Sequence, residues 1–259
     1  MYTISVVIPM YNEEKNIGKC LESVVISINY LKLNYNVICD IIVVDDGSTD
    51  NSKQIAELYN YVTVIQGEHK GVATARHIGT IYSNSNIIVS TDADVIVPED
   101  WLTKIYIHFY NNETLIAVSG NYREMYNRFF EILATYNANF LFHGMGGNTA
   151  FKRDAYIISG GYDITINYRG GTDIRLWNKL GNIGKTIHDN NIYVLHDSGY
   201  RWRAITVYSL SIISILSGHI FSSQLLKTAG LSLAGYELIM NSDKLLKNRN
   251  IENDIKQLE

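Results

Sequence analysis

Asp92 and Asp94 stand one residue apart in the stretch STDADV, residues 90–95, at the end of an apolar run. Two carboxylates this close repel unless a positive charge lies between them, which makes a divalent cation the first chemistry to consider. On an extended segment, residues i and i+2 point the same way, so both side chains can approach one ion. A short acidic pattern also occurs as a plain strand end or a helix cap, and the rest of the chain has to decide.

Stepping outward from the pair, strands alternate with helices. ISVVIPM (4–10) precedes a segment with apolar residues at helical spacing (12–31). DIIVVDDGSTDNS (40–52) joins a buried strand, a turn at Gly47 and a cap opening the helix KQIAELYN. VTVIQ, GVATARHIGTIYS and NIIVSTDADV then read as strand, helix, strand. Strands apolar on both faces and separated by crossover helices imply an α/β fold with a doubly wound, mostly parallel sheet. In such sheets ligands bind beyond the carboxyl ends of the strands, and there the chain places PMYNEE, DDGSTD, GEHKGVATARHIG and TDADV. Neither a Gly-x-Gly-x-x-Gly turn nor a P-loop follows the first strand. The acidic and aromatic loops suit a base, a ribose and a metal better than phosphate cradled by glycine amides.

Composition narrows the classes further. The chain has 259 residues, 46% hydrophobic and 19% charged, enough for one or two domains with a substantial core. A net charge of −4 without a basic cluster excludes nucleic acid as the main partner. Two cysteines, Cys20 and Cys39, make neither a disulfide framework nor a zinc spacing and read as free thiols. The first residues run straight into a strand without a secretory signal pattern, so the expected location is the cytoplasm.

SVVIPMYNEEKNIGKCLESV, IIVVDDGSTDNS, GVATARHIG, STDADV and GGNTAFKRDAYIISGGYD, in this order and spacing, resemble the family 2 glycosyltransferases of the GT-A fold over about residues 3–203. The resemblance implies transfer of a sugar from a UDP- or GDP-sugar donor, with Mg²⁺ or Mn²⁺ and inversion at the anomeric carbon. It implies that Pro9, Tyr11 and Glu13 line the nucleotide pocket, that Asp46 accepts a hydrogen bond from the base, and that Asp45 supports it. Arg76 is expected to steady the nucleotide or to pair with Asp92. Asp92 would face the ribose and metal, and Asp94 would ligate the ion spanning the donor's phosphates, which stabilises the departing nucleoside diphosphate. Gly146, Gly147 and Asn148 fall in the loop that approaches the transferred sugar.

The base departs from the family pattern. Gly170 and Gly171 stand where Glu-Asp is expected, and a slip of two residues brings Asp173, at a helix start, into the base role; Asp163 is the second candidate. His196, at a strand end, is a candidate to complete the metal shell, and Arg201 a candidate to clamp the diphosphate. An aromatic stretch including Phe129 and Phe130 reads as an acceptor wall or a core helix. Residues 204–259 read as a helical extension to a 1–203 catalytic domain. Its uncharged stretch 204–226 and a second helix at 228–247 suit peripheral contact with a membrane carrying a glycan or polyprenyl-linked acceptor, a transmembrane hairpin being the alternative. The function expected is metal-dependent glycosyl transfer; the alternatives are a catalytically silent nucleotide-sugar binding protein and a glycosyltransferase with a non-standard base.

Overall fold

β1 (Thr3–Met10), β2 (Ile38–Asp45) and β4 (Ile87–Thr91) carry apolar, buried runs, Val6–Met10, Ile41–Val44 and Ile87–Val89, because both faces are covered there. Successive side chains alternate between two cores. Ile4, Val6, Ile8 and Met10 of β1, with Ile41 and Val43 of β2, pack against α1 (Ile17–Asn34) and α4 (Trp101–Asn111). Val7, Ile42, Val44 and Ile88 face the other way, onto α3 (Val72–Tyr82), α5 (Arg153–Ile158) and α6 (Thr172–Ile183). The computed structural model describes residues 2–124, 146–164 and 171–196. The expected C-terminal extension 204–259, Phe129, Phe130 and Arg201 lie outside the described residues.

The remaining elements are α2 (Ser52–Glu57), β3 (Val62–Gln66), β5 (Val95–Ile96), β6 (Leu115–Glu124), β7 (Asn148–Lys152) and β8 (Lys185–His196). The eight strands form one sheet in the order β3-β2-β1-β4-β7-β6-β8-β5. β1 pairs in parallel with β2 and β4, β2 with β3, and β6 with β8, whereas β7 runs antiparallel to β4 and β6, and β5 antiparallel to β8. The chain steps from β1 to β2 to β3 and then returns to the far side of β1 as β4, so strand order reverses between β1 and β4. That reversal opens the crevice where ligands of open α/β sheets sit.

Two boundaries differ from the sequence reading, for one reason. The first helix starts at Ile17 rather than at residue 12, because the 12–16 segment is tied to the loop after β2. Asn12, at φ 56°, accepts the Thr49 N–H at 2.8 Å, and the Glu13 N–H donates to Ser52 Oγ at 2.6 Å. Ser52, expected to cap α2, accepts that bond and donates to Asp50 instead. Local polar side chains here join two loops rather than begin two helices.

Candidate active site

At the carboxyl end of β2, Asp45 and Asp46 are both buried, at 1% and 6% exposure. Asp45 Oδ1 accepts the Ser48 N–H at 3.0 Å and so tightens the turn. Asp46 accepts the backbone N–H groups of Lys70 at 3.0 Å and Gly71 at 2.8 Å, one on each oxygen, and thereby fixes the loop after β3. That loop presents His69 at φ 54°, a left-handed conformation rare for a residue with a side chain. His69 Nδ1 lies 2.8 Å from the Asp46 carbonyl oxygen and donates to it, and the imidazole stands 4.8 Å from the Tyr11 ring, tilted by 40°. Tyr11 itself is 45% exposed at the end of β1. Two rings thus meet over the rim beside the switch point, offering a face to a planar base.

Pro9 is buried inside β1, one residue before the strand ends. The β1–β4 ladder stops at Val7–Ser90, short of this residue without an N–H. Glu13 is half-buried and accepts from Asn16 Nδ2 at 2.8 Å. Burial, with further repulsion from Asp94 and Asp50, raises its carboxyl above the usual range and locates it beside the acidic pair.

The pair itself splits between two partners. Asp92 Oδ1 accepts from Arg76 Nη2 at 2.5 Å and Asp92 Oδ2 from the Tyr122 hydroxyl at 2.7 Å, while its backbone oxygen takes the Cys20 thiol at 3.3 Å. Asp94 Oδ2 lies 2.9 Å from His196 Nε2, brought there by the β5–β8 pairing of Val95 with His196. Both Asp92 oxygens are thus engaged in hydrogen bonds. A cation fits the other pair: carboxylate oxygen and imidazole nitrogen are a donor set for Mn²⁺ or a similar ion. Among the described residues no group of three His, Cys, Asp or Glu side chains gathers around one point, so further ligands would have to come from a bound diphosphate or from water.

Arg76 is 4% exposed and reaches from α3 to a second carboxylate, Asp173 of α6, with Nη1 3.0 Å from Oδ1. Burial alone would lower its pKa, but Asp173 and Asp92 outweigh this and hold the guanidinium well above its usual value. Burial, and then the Asp92 charge, raises the Tyr122 phenol far above its usual range, so it remains a donor. Gly146 and Gly147 lie directly on these pairs: a Cβ at Gly146 would strike Arg76 Nη1 and Asp173 Oδ1, and one at Gly147 the Tyr122 hydroxyl and Asp92 Oδ2. Asn148 is 1% exposed, its amide accepting from Trp101 Nε1 at 2.9 Å and donating to the Asn121 carbonyl at 2.8 Å. Asp163 stands apart from this chain, 3.9 Å from Arg175 Nη1.

Residues 5–164, well over half of the chain, match the model of glycosyl transferase family 2. The chain belongs to this family. It is similar to the glycosyltransferase GlyG of Streptococcus pneumoniae, 36% identical over 46% of this chain and 38% of that one. An undecaprenyl-phosphate 4-deoxy-4-formamido-L-arabinose transferase of Proteus mirabilis is 32% identical over 39% of this chain and 32% of its own length. This family 2 chain therefore spans well under half the length of these curated relatives. Among solved structures, the mannosyltransferase PcManGT of Pyrobaculum calidifontis, in complex with GDP-Man and Mn²⁺, superposes with a TM-score of 0.61 at 22% identity, over 77% of this chain and 58% of that one. Staphylococcus aureus TarS with UDP-GlcNAc gives 0.61 at 17% identity, over 76% and 58%. These likenesses carry the GT-A fold.

Within the family 2 frame, His69 and Tyr122 are the residues that sequence reading passed over. His69 lies inside a loop already singled out, but nothing in its type announced the left-handed turn. Tyr122 carries no local signal, since its place depends on how β6 pairs.

Proposed function

We propose that this chain transfers a sugar from a nucleoside diphosphate sugar to an acceptor hydroxyl, with the help of a divalent cation and with inversion. The observation that carries the reading is the meeting of Asp94 with His196, 102 residues apart in sequence, at 2.9 Å beside the Asp92–Arg76–Asp173 chain with its buried guanidinium and on the rim that holds the two-ring platform. Tyr11 and His69 would stack on the base, with UDP- and GDP-sugars as the donor class. Asp94 and His196 would hold Mg²⁺ or Mn²⁺, which supplies charge neutralisation for the departing diphosphate. The acceptor class favoured is a glycan or polyprenyl-linked sugar, in keeping with the undecaprenyl-phosphate transferase of Proteus mirabilis.

In the reaction the acceptor hydroxyl gives its proton to Asp173, its oxygen bonds to the anomeric carbon, and the bond from that carbon to the diphosphate oxygen breaks with its electron pair leaving on the nucleoside diphosphate. Asp173 lies in the first turn of α6. Among the described residues no helix is long and apolar enough to cross a membrane, and peripheral contact through residues 204–247 belongs to this proposal.

Release of nucleoside diphosphate from a panel of UDP- and GDP-sugars with Mn²⁺ tests the reading. Turnover with at least one donor, lost on chelation and reduced on the order of 10²-fold or more in Asp94→Ala, is expected. Donor binding without release, in every pairing of donor and acceptor, would favour the silent binding protein instead.

A further inference from the structure

We infer that Arg76 is a positioning residue: it holds the candidate base Asp173 by one oxygen and is itself held, through Asp92, by the hydroxyl of Tyr122. The inference rests on the proposed transfer reaction. Four groups form one line, Tyr122 to Asp92 at 2.7 Å, Asp92 to Arg76 at 2.5 Å and Arg76 to Asp173 at 3.0 Å, and they come from β6, the end of β4, α3 and α6. α3 and β4 follow one another, but β6 and α6 come from later in the chain, so the line is a tertiary construction and not a local motif.

Several features argue that the line does more than fill space. One guanidinium serves two carboxylates, so each keeps part of its negative charge. Arg76 is almost fully buried, and its Nε has no partner among the described residues, which leaves the two Nη contacts as the bonds that orient the head group. Asp173 keeps side-chain exposure of 27%, and among the described residues its Oδ2 accepts no hydrogen bond. A carboxylate anchored at Oδ1 with Oδ2 free offers a proton acceptor in one direction only, the arrangement by which a third group orients a general base. The Gly146–Gly147 backbone closes the line from one side, since any side chain there would displace a member of each pair. The same guanidinium ties Asp173 to Asp92, so the seat of the base is built from the donor side of the crevice.

The test is a pair of double-mutant cycles read in kcat, with donor affinity measured separately by calorimetry using UDP or GDP. Lysine at position 76 can reach one carboxylate but not both in this geometry. Arg76→Lys is expected to lower kcat on the order of 10²-fold while donor Kd changes only a few-fold. Added to Asp173→Asn it should cost little more, because both changes remove the same oriented base. Tyr122→Phe, an isosteric change at the far end of the line, should lower kcat several-fold with the same non-additivity toward Asp173→Asn, and it serves as the second cycle if the lysine variant does not fold. Independent, multiplicative losses would overturn the inference, as would a fall in donor affinity as large as the fall in kcat, which would make Arg76 a nucleotide ligand. Wild-type protein that turns over no donor would instead remove the transfer reaction, and this inference with it.

Discussion

Asp46 shows how one residue can set the backbone of a site's rim. Its two oxygens receive the Lys70 and Gly71 N–H groups, and its own carbonyl receives His69, so one residue sets the turn that carries the imidazole beside Tyr11. Asparagine at this position can accept only one of the two bonds and turns an NH₂ toward the other donor. Asp46→Asn is expected to cost about 1–3 kcal/mol in urea unfolding and to speed tryptic cleavage after Lys70. Unchanged stability together with unchanged cleavage would show that the turn does not depend on this carboxylate. Asp46 was legible from its place after an apolar run, but its bonds to the Lys70 and Gly71 N–H groups were not, since they depend on how the loop after β3 folds back.

At the scale of elements, α3 does two things at once. Arg76 and Gly79 lie one turn apart; the arginine reaches the crevice while the glycine lets the helix backbone rest on the sheet. A Cβ at Gly79 would fall 2.5 Å from Val7 Cγ1 and 3.1 Å from Val44 Cγ2, both within the buried core. Gly79→Ala gains about 1 kcal/mol of helix propensity and loses more through overpacking, for a net loss of about 1–2 kcal/mol. Lifting α3 also draws Arg76 from its carboxylates, so kcat should fall more than stability alone explains. A variant with higher thermal stability and full turnover would contradict this packing. β1, β2 and β4 were readable because each has an apolar run buried on both faces, and β3 because Val62, Val64 and Ile65 make a short β-branched run. β6 and β7 were not, because their buried positions include Ser119, Asn121, Asn148 and Thr149, polar groups satisfied only after pairing.

Across the whole molecule, acid should destabilise the fold in two steps. His77 is partly buried against the Tyr156 hydroxyl at 2.8 Å, and burial lowers its pKa below 6.5. The unfolded chain therefore takes up a proton on this side chain at a higher pH than the folded chain, and stability declines as pH falls below about 6.5. For Asp189, burial alone would raise the carboxyl, but the Asn191 N–H and His108 outweigh it and hold it below 3.8, so its contribution persists to lower pH and is lost as pH falls through the folded value. Thermal midpoints measured from pH 7.5 to 5 should drop in the wild type and drop less in His77→Asn. Equal slopes would exclude His77 as the source of the first step. Both cysteines are free, as expected, and burial pushes Cys39 up to about 11, so neither thiol is poised to react in the folded state.

The pairing of Val95 with His196 has a bearing on synthesis. A chain emerging from a ribosome displays Asp94 long before residue 196 has been made, and the far margin of the sheet is the place where the two must meet. The proposed ion seat therefore cannot exist in any shorter nascent fragment, and it forms only after the elements between these strands, α4, β6, β7, α5 and α6 among them, have been made and β8 has paired with β5.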